Sequence, residues 1–240
     1  VAGARHGADP ALKPAPVTIG LLGGSFNPAH GGHRHISLNV QKALGLDAVW
    51  WLVSPGNPLK PQAGMAPLPA RFASARHHAR RSPIAVTAIE RELGTRYTVD
   101  TLARIIRRWP KRRFVWIMGA DNLAQFHRWR AWRQIARMMP IAVIARPGYD
   151  SDAFAAPAMV WLRRFRRPQA RYGNRAGWSA PSLVLLAFNP DPRSATALRA
   201  ADPAWADRPV SAHLRDAVTF RLLTGPALFS PPADTGGAQP

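Results

Sequence analysis

The chain has 240 residues, 47% of them hydrophobic and none of them cysteine. This length and apolar content support one sizeable α/β domain, or one domain with a small appendage. The lack of cysteine excludes disulfides and thiolate metal sites. Lysine and arginine number 33 against 13 aspartates and glutamates, a net charge of +20. Such a charge attracts polyanions, but the arginines are spread over helical polar faces and loops, so no specific nucleic-acid partner is expected.

Residues 1–16 are rich in Ala, Gly and Pro and read as a flexible tail without the apolar core of a signal peptide. No run reaches the length of a membrane span, and a cytoplasmic location is expected. From Val17 onward, apolar runs alternate with helical stretches. The expected strands are Val17–Leu22, Ala48–Val53, Ile84–Ile89, Arg113–Met118, Ile141–Ala145 and Leu183–Ala187. The expected helices are Arg34–Leu44, Ala70–Arg80, Val99–Trp109, Asn122–Phe126, Trp129–Met138 and Ala153–Phe165. Arg166 to Ser182 reads as irregular, Pro209–Leu223 as a helix, and 224–240 as a second flexible tail, which leaves 17–223 as a single domain. Wholly apolar strands alternating with helices imply a parallel sheet covered on both faces. The expected fold is therefore a Rossmann-like, doubly wound α/β sheet with ligands at the carboxyl ends of its strands. The G-x-G-x-x-G fingerprint is absent, so no bound dinucleotide cofactor is inferred.

The segment richest in chemistry is Gly23-Gly24-Ser25-Phe26-Asn27-Pro28-Ala29-His30-Gly31-Gly32-His33. A buried strand ends in a glycine turn, and two histidines arrive where a helix begins. Glycine lets the backbone approach a ligand closely. A helix start offers unpaired N–H groups and a positive dipole end, which suit phosphate, and the imidazoles add further donors. Other segments are suggestive in the same positional sense. After the second strand, Ser54-Pro55-Gly56-Asn57-Pro58-Leu59-Lys60 places one ammonium on a rigid loop, or is simply a loop with an exposed lysine. Thr98 stands where an N-cap belongs. After the fourth strand, Gly119-Ala120-Asp121 offers a carboxylate able to accept both hydroxyls of a ribose. Trp129 and Trp132 by periodicity alone read as core. Ser194, Thr196 and Arg199 bring hydroxyls and a guanidinium to a further helix start.

Taken in order, these segments resemble the nicotinate mononucleotide branch of the nucleotidyltransferase superfamily. The first is similar to G-x-F-D-P-x-H-x-G-H, with Asn27 where Asp is common and Ser25 where Thr is common. Tyr97-Thr98-Val99-Asp100-Thr101-Leu102 resembles Y-T-x-[DQ]-T-L. Gly119 to Trp129 resembles G-x-D-x-L-x-x-[FL]-x-x-W, and Ser194 to Arg199 resembles the end of [IL]-S-S-T-x-[IL]-R, with Ala195 replacing the second Ser. Arg146-Pro147-Gly148 matches the R-P-G that follows a strand in relatives, and Leu59 departs from their P-x-x-P-H-[KR].

The resemblance implies adenylyl transfer from ATP to nicotinate mononucleotide, giving deamido-NAD and pyrophosphate. It implies His30 and His33 as catalytic residues. Gly23, Gly24, Ser25, Phe26, Gly32, Asp121, Ser194, Thr196 and Arg199 would bind ATP. Lys60, Thr98, Trp129 and Arg130 would bind the mononucleotide. Mg²⁺ would arrive on the ATP phosphates, since no carboxylate cluster marks a protein cage. Two rival classes remain open: an adenylyltransferase for nicotinamide mononucleotide or phosphopantetheine, and a basic nucleic-acid-binding protein. Oligomeric state is not read from the sequence.

Overall fold

The structure is a computed structural model that describes residues 17–56, 64–145, 151–173, 178–189, 191 and 193–223. The expected tails, Lys60 and the Arg146–Gly148 segment lie outside the described residues. Strands β1 (Thr18–Gly24), β2 (Ala48–Val53), β3 (Ile84–Thr87), β4 (Arg113–Gly119), β5 (Ile141–Ala145) and β6 (Leu183–Ala187) form one sheet in the order β3-β2-β1-β4-β5-β6. Every pairing is parallel. This is the Rossmann-like doubly wound order expected from the alternating pattern.

The strands are apolar on both sides because helices cover both faces. Adjacent residues of β2 show the division: Trp50 packs in one core cluster and Trp51 in the other. Helix α1 (Gly31–Leu44) and helix α2 (Leu68–Ala79) supply Val40, Leu44, Phe72 and Ala75 to the Trp51 side. Helices α4 (Thr98–Arg108) and α6 (Trp132–Met138) supply Leu102, Ile105, Trp132 and Ile135 to the Trp50 side.

The chain runs from β1 outward to β3, then returns to place β4 on the other side of β1. The carboxyl ends of β1 and β4 are therefore neighbours whose following connections diverge, the switch point at which open α/β sheets bind ligands.

Several expected boundaries move for local reasons. Helix α1 begins at Gly31 rather than Arg34, which puts both glycines inside the helix and makes His30 its N-cap. The expected strand Ile84–Ile89 stops at Thr87 and is followed by a short helix, α3 (Ile89–Leu93), not anticipated from the sequence. Helix α5 covers Ala120–Gln125, two residues earlier than expected at its start.

The expected helix Ala153–Phe165 is broken into α7 (Ser151–Ala155), α8 (Pro157–Leu162) and a 3₁₀ turn at Arg163–Phe165. Pro157 has no N–H to donate and pushes Ala156 into an extended conformation at ψ 144°. Within Arg166–Ser182 a short helix, α9 (Ala170–Gly173), forms.

The expected helix Pro209–Leu223 does not form. Its backbone makes turns and an isolated antiparallel bridge between Arg215 and Leu222. The cause is Asp216, whose carboxylate accepts from Thr87 Oγ1, Ala88 N, Val218 N and Thr219 N at 2.7–2.9 Å. A side chain that competes this well for backbone donors favours a turn over a helix. Ala217 N also donates to Val86 O at 3.1 Å, so this segment caps the edge of β3.

Candidate active site

The loop after β1 is held from below and from the side. Phe26 adopts φ 48°, rare for a residue with a Cβ. Its ring is buried, 5.0 Å from the Trp51 ring and 4.9 Å from that of His33. Trp51 Nε1 donates to Ser37 Oγ, and Ser37 Oγ donates to the His33 carbonyl, both at 2.8 Å. Phe26 and Trp51 thus form the floor under His33, so the Phe26 side chain supports the site and leaves only its backbone to offer to a ligand.

The two histidines cap their own helix. His30 Nδ1 accepts from Gly32 N at 3.1 Å, and His33 Nδ1 accepts from His30 N at 3.2 Å. This is a capping box built from imidazoles. An Nδ1 that accepts leaves the proton of the neutral ring on Nε2. Both rings, with centroids 4.0 Å apart, therefore present N–H donors of the same kind at the start of α1. Gly32 has no alternative here, because a Cβ would stand 2.8 Å from the His30 ring. At Gly23 a Cβ would come within 2.6 Å of the Trp116 ring on β4, so packing by itself favours glycine there.

A buried arginine that the sequence reading passed over ties this loop to its neighbour. Arg71 of α2 is 1% exposed. Its guanidinium donates to the carbonyls of Ser25 and Ser54 at 2.7 Å each, of Ala66 at 2.8 Å and of Pro55 at 3.3 Å. Burial pushes the guanidinium down to about 10, against the opposing influence of Glu90. Glu90 is itself pushed up to about 7 by desolvation, against a hydrogen bond from Ser54 and the charge of Arg71. The available signal was an arginine in register with Phe72 and Ala75 on the buried side of α2. Asn27 adds a second tie: Nδ2 donates to Gly64 O at 2.9 Å and Oδ1 accepts from Ala66 N at 3.1 Å.

On the other side of the switch point, Gly119 is the N-cap of α5 and Asp121 lies in its first turn, exposed. The carboxylate folds back over Gly119, where a Cβ would meet Asp121 Oδ1 at 2.3 Å.

Thr98 is the first residue of α4. The N-cap is Tyr97, with no side-chain cap bond, so Thr98 is not the cap that its position suggested. Trp129 is not helical either: Ala131 at φ 49° starts α6 at Trp132, and Trp129 follows the 3₁₀ turn Phe126–Arg128. The Trp129 ring is half-buried, edge-on to Phe126 at 5.3 Å and to Trp116 at 6.2 Å. Trp132 is buried packing, as expected. Arg130 joins the two segments, with its guanidinium 4.7 Å from the Tyr97 ring centre and 3.7 Å from Asp100.

Ser194 is the N-cap of α10 (Ala195–Ala201) and accepts from Ala197 N at 3.1 Å. Arg199 donates to Thr196 Oγ1 at 3.2 Å and to the Asn27 carbonyl at 2.5 Å, which brings the last motif onto the first loop. Arg193, which no motif marks as a site residue, ion-pairs with Asp191 and lies against Gly31.

The structure thus gathers His30, His33 and Arg199 at the β1 end and brings Arg130, next to Trp129 in the chain, onto the residues that flank Thr98. Among the described residues no group of three or more His, Cys, Asp or Glu side chains converges as metal ligands. No helix among them is long and apolar enough to cross a membrane.

Residues 21–201 match the family model described as cytidylyltransferase-like. A "Probable nicotinate-nucleotide adenylyltransferase" of Erythrobacter litoralis is 64% identical over 211 residues, covering 88% of this chain and 96% of the relative. A protein of the same description from Bradyrhizobium sp. (strain BTAi1) is 51% identical over 189 residues, covering 79% and 98%. Among solved structures, Plasmodium falciparum nicotinic acid mononucleotide adenylyltransferase complexed with NaAD superposes with a TM-score of 0.55 at 14% identity, over 76% of this chain and 82% of that one. That likeness supports the fold. The chain belongs to the cytidylyltransferase-like family of nucleotidyltransferases, in its nicotinate-nucleotide adenylyltransferase branch.

Proposed function

We propose that the protein transfers the adenylyl group of ATP to nicotinate mononucleotide, releasing pyrophosphate and forming deamido-NAD, within a single nucleotidyltransferase domain spanning residues 17–223. The observation that carries this reading is the contact of Arg130 with Tyr97 and Asp100. That contact holds the segment carrying Trp129 against the start of α4.

In the transfer, a phosphate oxygen of the mononucleotide attacks the α-phosphorus of ATP in line. One P–O bond forms as the bond to the bridging oxygen of pyrophosphate breaks, and no covalent enzyme intermediate is needed. Such a step depends on positioning and on stabilising charge. His30 and His33 donate Nε2–H to the α-phosphate and the bridging oxygen. Ser194, Thr196 and Arg199 stabilise charge on the leaving pyrophosphate. Asp121 accepts from the ATP ribose. The imidazole and guanidinium donors at the phosphates suit phosphate oxygens rather than Mg²⁺. Mg²⁺ would therefore come bound to the triphosphate, and no step is assigned to it.

The pyridine carboxylate lies at the start of α4, where no side chain caps the first N–H groups, with Trp129 against the ring. A carboxylate accepts from every donor there. A carboxamide turns its own NH₂ toward at least one of them, and a buried unpaired donor costs about 1–3 kcal/mol. Nicotinate mononucleotide is therefore preferred over nicotinamide mononucleotide by roughly 10-fold to 10³-fold in kcat/KM. A competition assay with the two at equal concentration tests this, and equal use of both, or preference for the amide, overturns it.

A further inference from the structure

The Asp191–Arg193 pair stands at the mouth of the histidine loop, and nothing above gives it a role. Arg193 Nε donates to Asp191 Oδ1 at 2.8 Å, Arg193 N donates to the same oxygen at 3.0 Å, and Nη2 pairs with Asp191 Oδ2. The carboxylate thus grips one edge of the guanidinium and the backbone beside it. The other edge faces α1. A Cβ on Gly31 would lie 2.1 Å from Arg193 Nη1 and Cζ, so the guanidinium rests directly on the Gly31 backbone, next to the His30 cap. No hydrogen bond among the described residues uses Nη1.

A surface ion pair alone does not account for this placement. Exposed pairs contribute little to stability, and the side chain of Arg193 is 57% exposed. Yet Asp191 fixes the guanidinium at two points and the backbone beside it at a third, and Gly31 leaves it room against the helix start. The surroundings are cationic as well: His78 is pushed down by burial, then by His77, Arg193 and Arg34. An oriented guanidinium with an unused edge, over the first turn of a helix and beside two imidazole donors, is suited to an oxyanion with several oxygens.

We propose that Arg193 is a phosphate-contacting residue for the β- and γ-phosphates of ATP, oriented by Asp191, which acts as a positioning residue. The assignment rests on the ATP-dependent reading of the same site. Nη1 donates to the polyphosphate while Asp191 keeps Nε and Nη2, so the arginine reaches the ligand already ordered. Arg199, whose guanidinium is engaged with the Asn27 carbonyl and Thr196, approaches the same phosphates from the α10 side.

The test replaces Arg193 with Leu, the residue type that the family pattern has at this place, and separately makes Arg193→Lys and Asp191→Asn. ATP and pyrophosphate binding are measured by calorimetry, and KM for ATP and for the mononucleotide by steady-state assay. Losing a charge-assisted contact predicts that Arg193→Leu weakens ATP and pyrophosphate by roughly 10-fold, with KM for the mononucleotide and melting temperature unchanged. Arg193→Lys restores part of the loss, and Asp191→Asn weakens ATP in the same direction by less. Wild-type ATP binding in Arg193→Leu overturns the proposal, as does equal weakening of both substrates. The reading of the acceptor fails separately: a wild-type protein that binds ATP through Arg193 but does not use nicotinate mononucleotide loses the acceptor and keeps the arginine.

Discussion

Arg71 Nη1 lies 2.7 Å from the carbonyl oxygens of both Ser25 and Ser54, so one buried nitrogen joins the loops that leave two adjacent strands. The loops carry the first two motifs, and the tie fixes their spacing without touching a ligand. Arg71→Met keeps the apolar stem and removes every donor. It leaves several buried carbonyls unpaired, at about 1–3 kcal/mol each. Urea unfolding should show a loss of at least about 2 kcal/mol, with Arg71→Lys recovering only part, because an ammonium lacks the planar fork that spans the separate carbonyls.

Glu90 gives this region a pH signature. Its folded value of about 7, set first by desolvation, lies above the ordinary 4.5. The folded state therefore holds the proton more tightly. The stability that this group contributes is complete below the unfolded value and is lost as pH rises through the folded one. Glu90→Gln keeps the shape and cannot ionise. Its melting temperature should gain on that of the wild type between about pH 4.5 and about pH 7, and parallel melting curves across that range would remove the effect.

His33 has a structural duty and a chemical one, and they use different nitrogens. Nδ1 accepts from His30 N, while Nε2 is the donor assigned to the phosphate. His33→Asn retains an acceptor near the Nδ1 position and has no donor near Nε2. The variant should melt like the wild type but lose roughly 10²-fold in kcat, the scale of one missing oxyanion donor. KM for ATP should change less, since the contact strengthens in the transition state. A folded variant with normal turnover would clear His33 of catalysis.

The two ends of ATP can be separated. Arg199→Ala should raise KM for ATP and slow turnover while mononucleotide binding holds, because Arg199 reaches the Asn27 loop rather than the α4 pocket. Asp121→Ala removes the proposed ribose acceptor and should narrow the preference for ATP over its 2′-deoxy analogue. If Arg199→Ala weakened only the mononucleotide, the two substrates would be placed the wrong way round.

Trp129 should not read the substituent on the pyridine ring, because a ring face contacts the acid and the amide alike. Trp129→Ala should therefore reduce kcat/KM for nicotinate and nicotinamide mononucleotides by similar factors. A selective loss of the acid would transfer the discrimination from the start of α4 to the indole.

The sequence by itself determined the parallel α/β sheet and the family. Strands buried on both faces must be apolar along their buried length: β2 is wholly so, and β1 and β4 are so after their first residues, Thr18 and Arg113. The histidine motif and Asp121 directly follow β1 and β4, where local order is enough to locate them. Tertiary structure alone decided the supports and the exceptions. Arg71 looks like any helical arginine until the loops after β1 and β2 close around it. The 209–223 segment looks helical until Asp216 finds donors on Thr87 and Ala88, far away in the chain. Trp129 looks helical until Ala131, at φ 49°, starts the helix after it. Periodicity reports which face of a segment is apolar, but a polar group's partner depends on what the fold brings beside it. In a dry interior that partner settles both the conformation and the charge state.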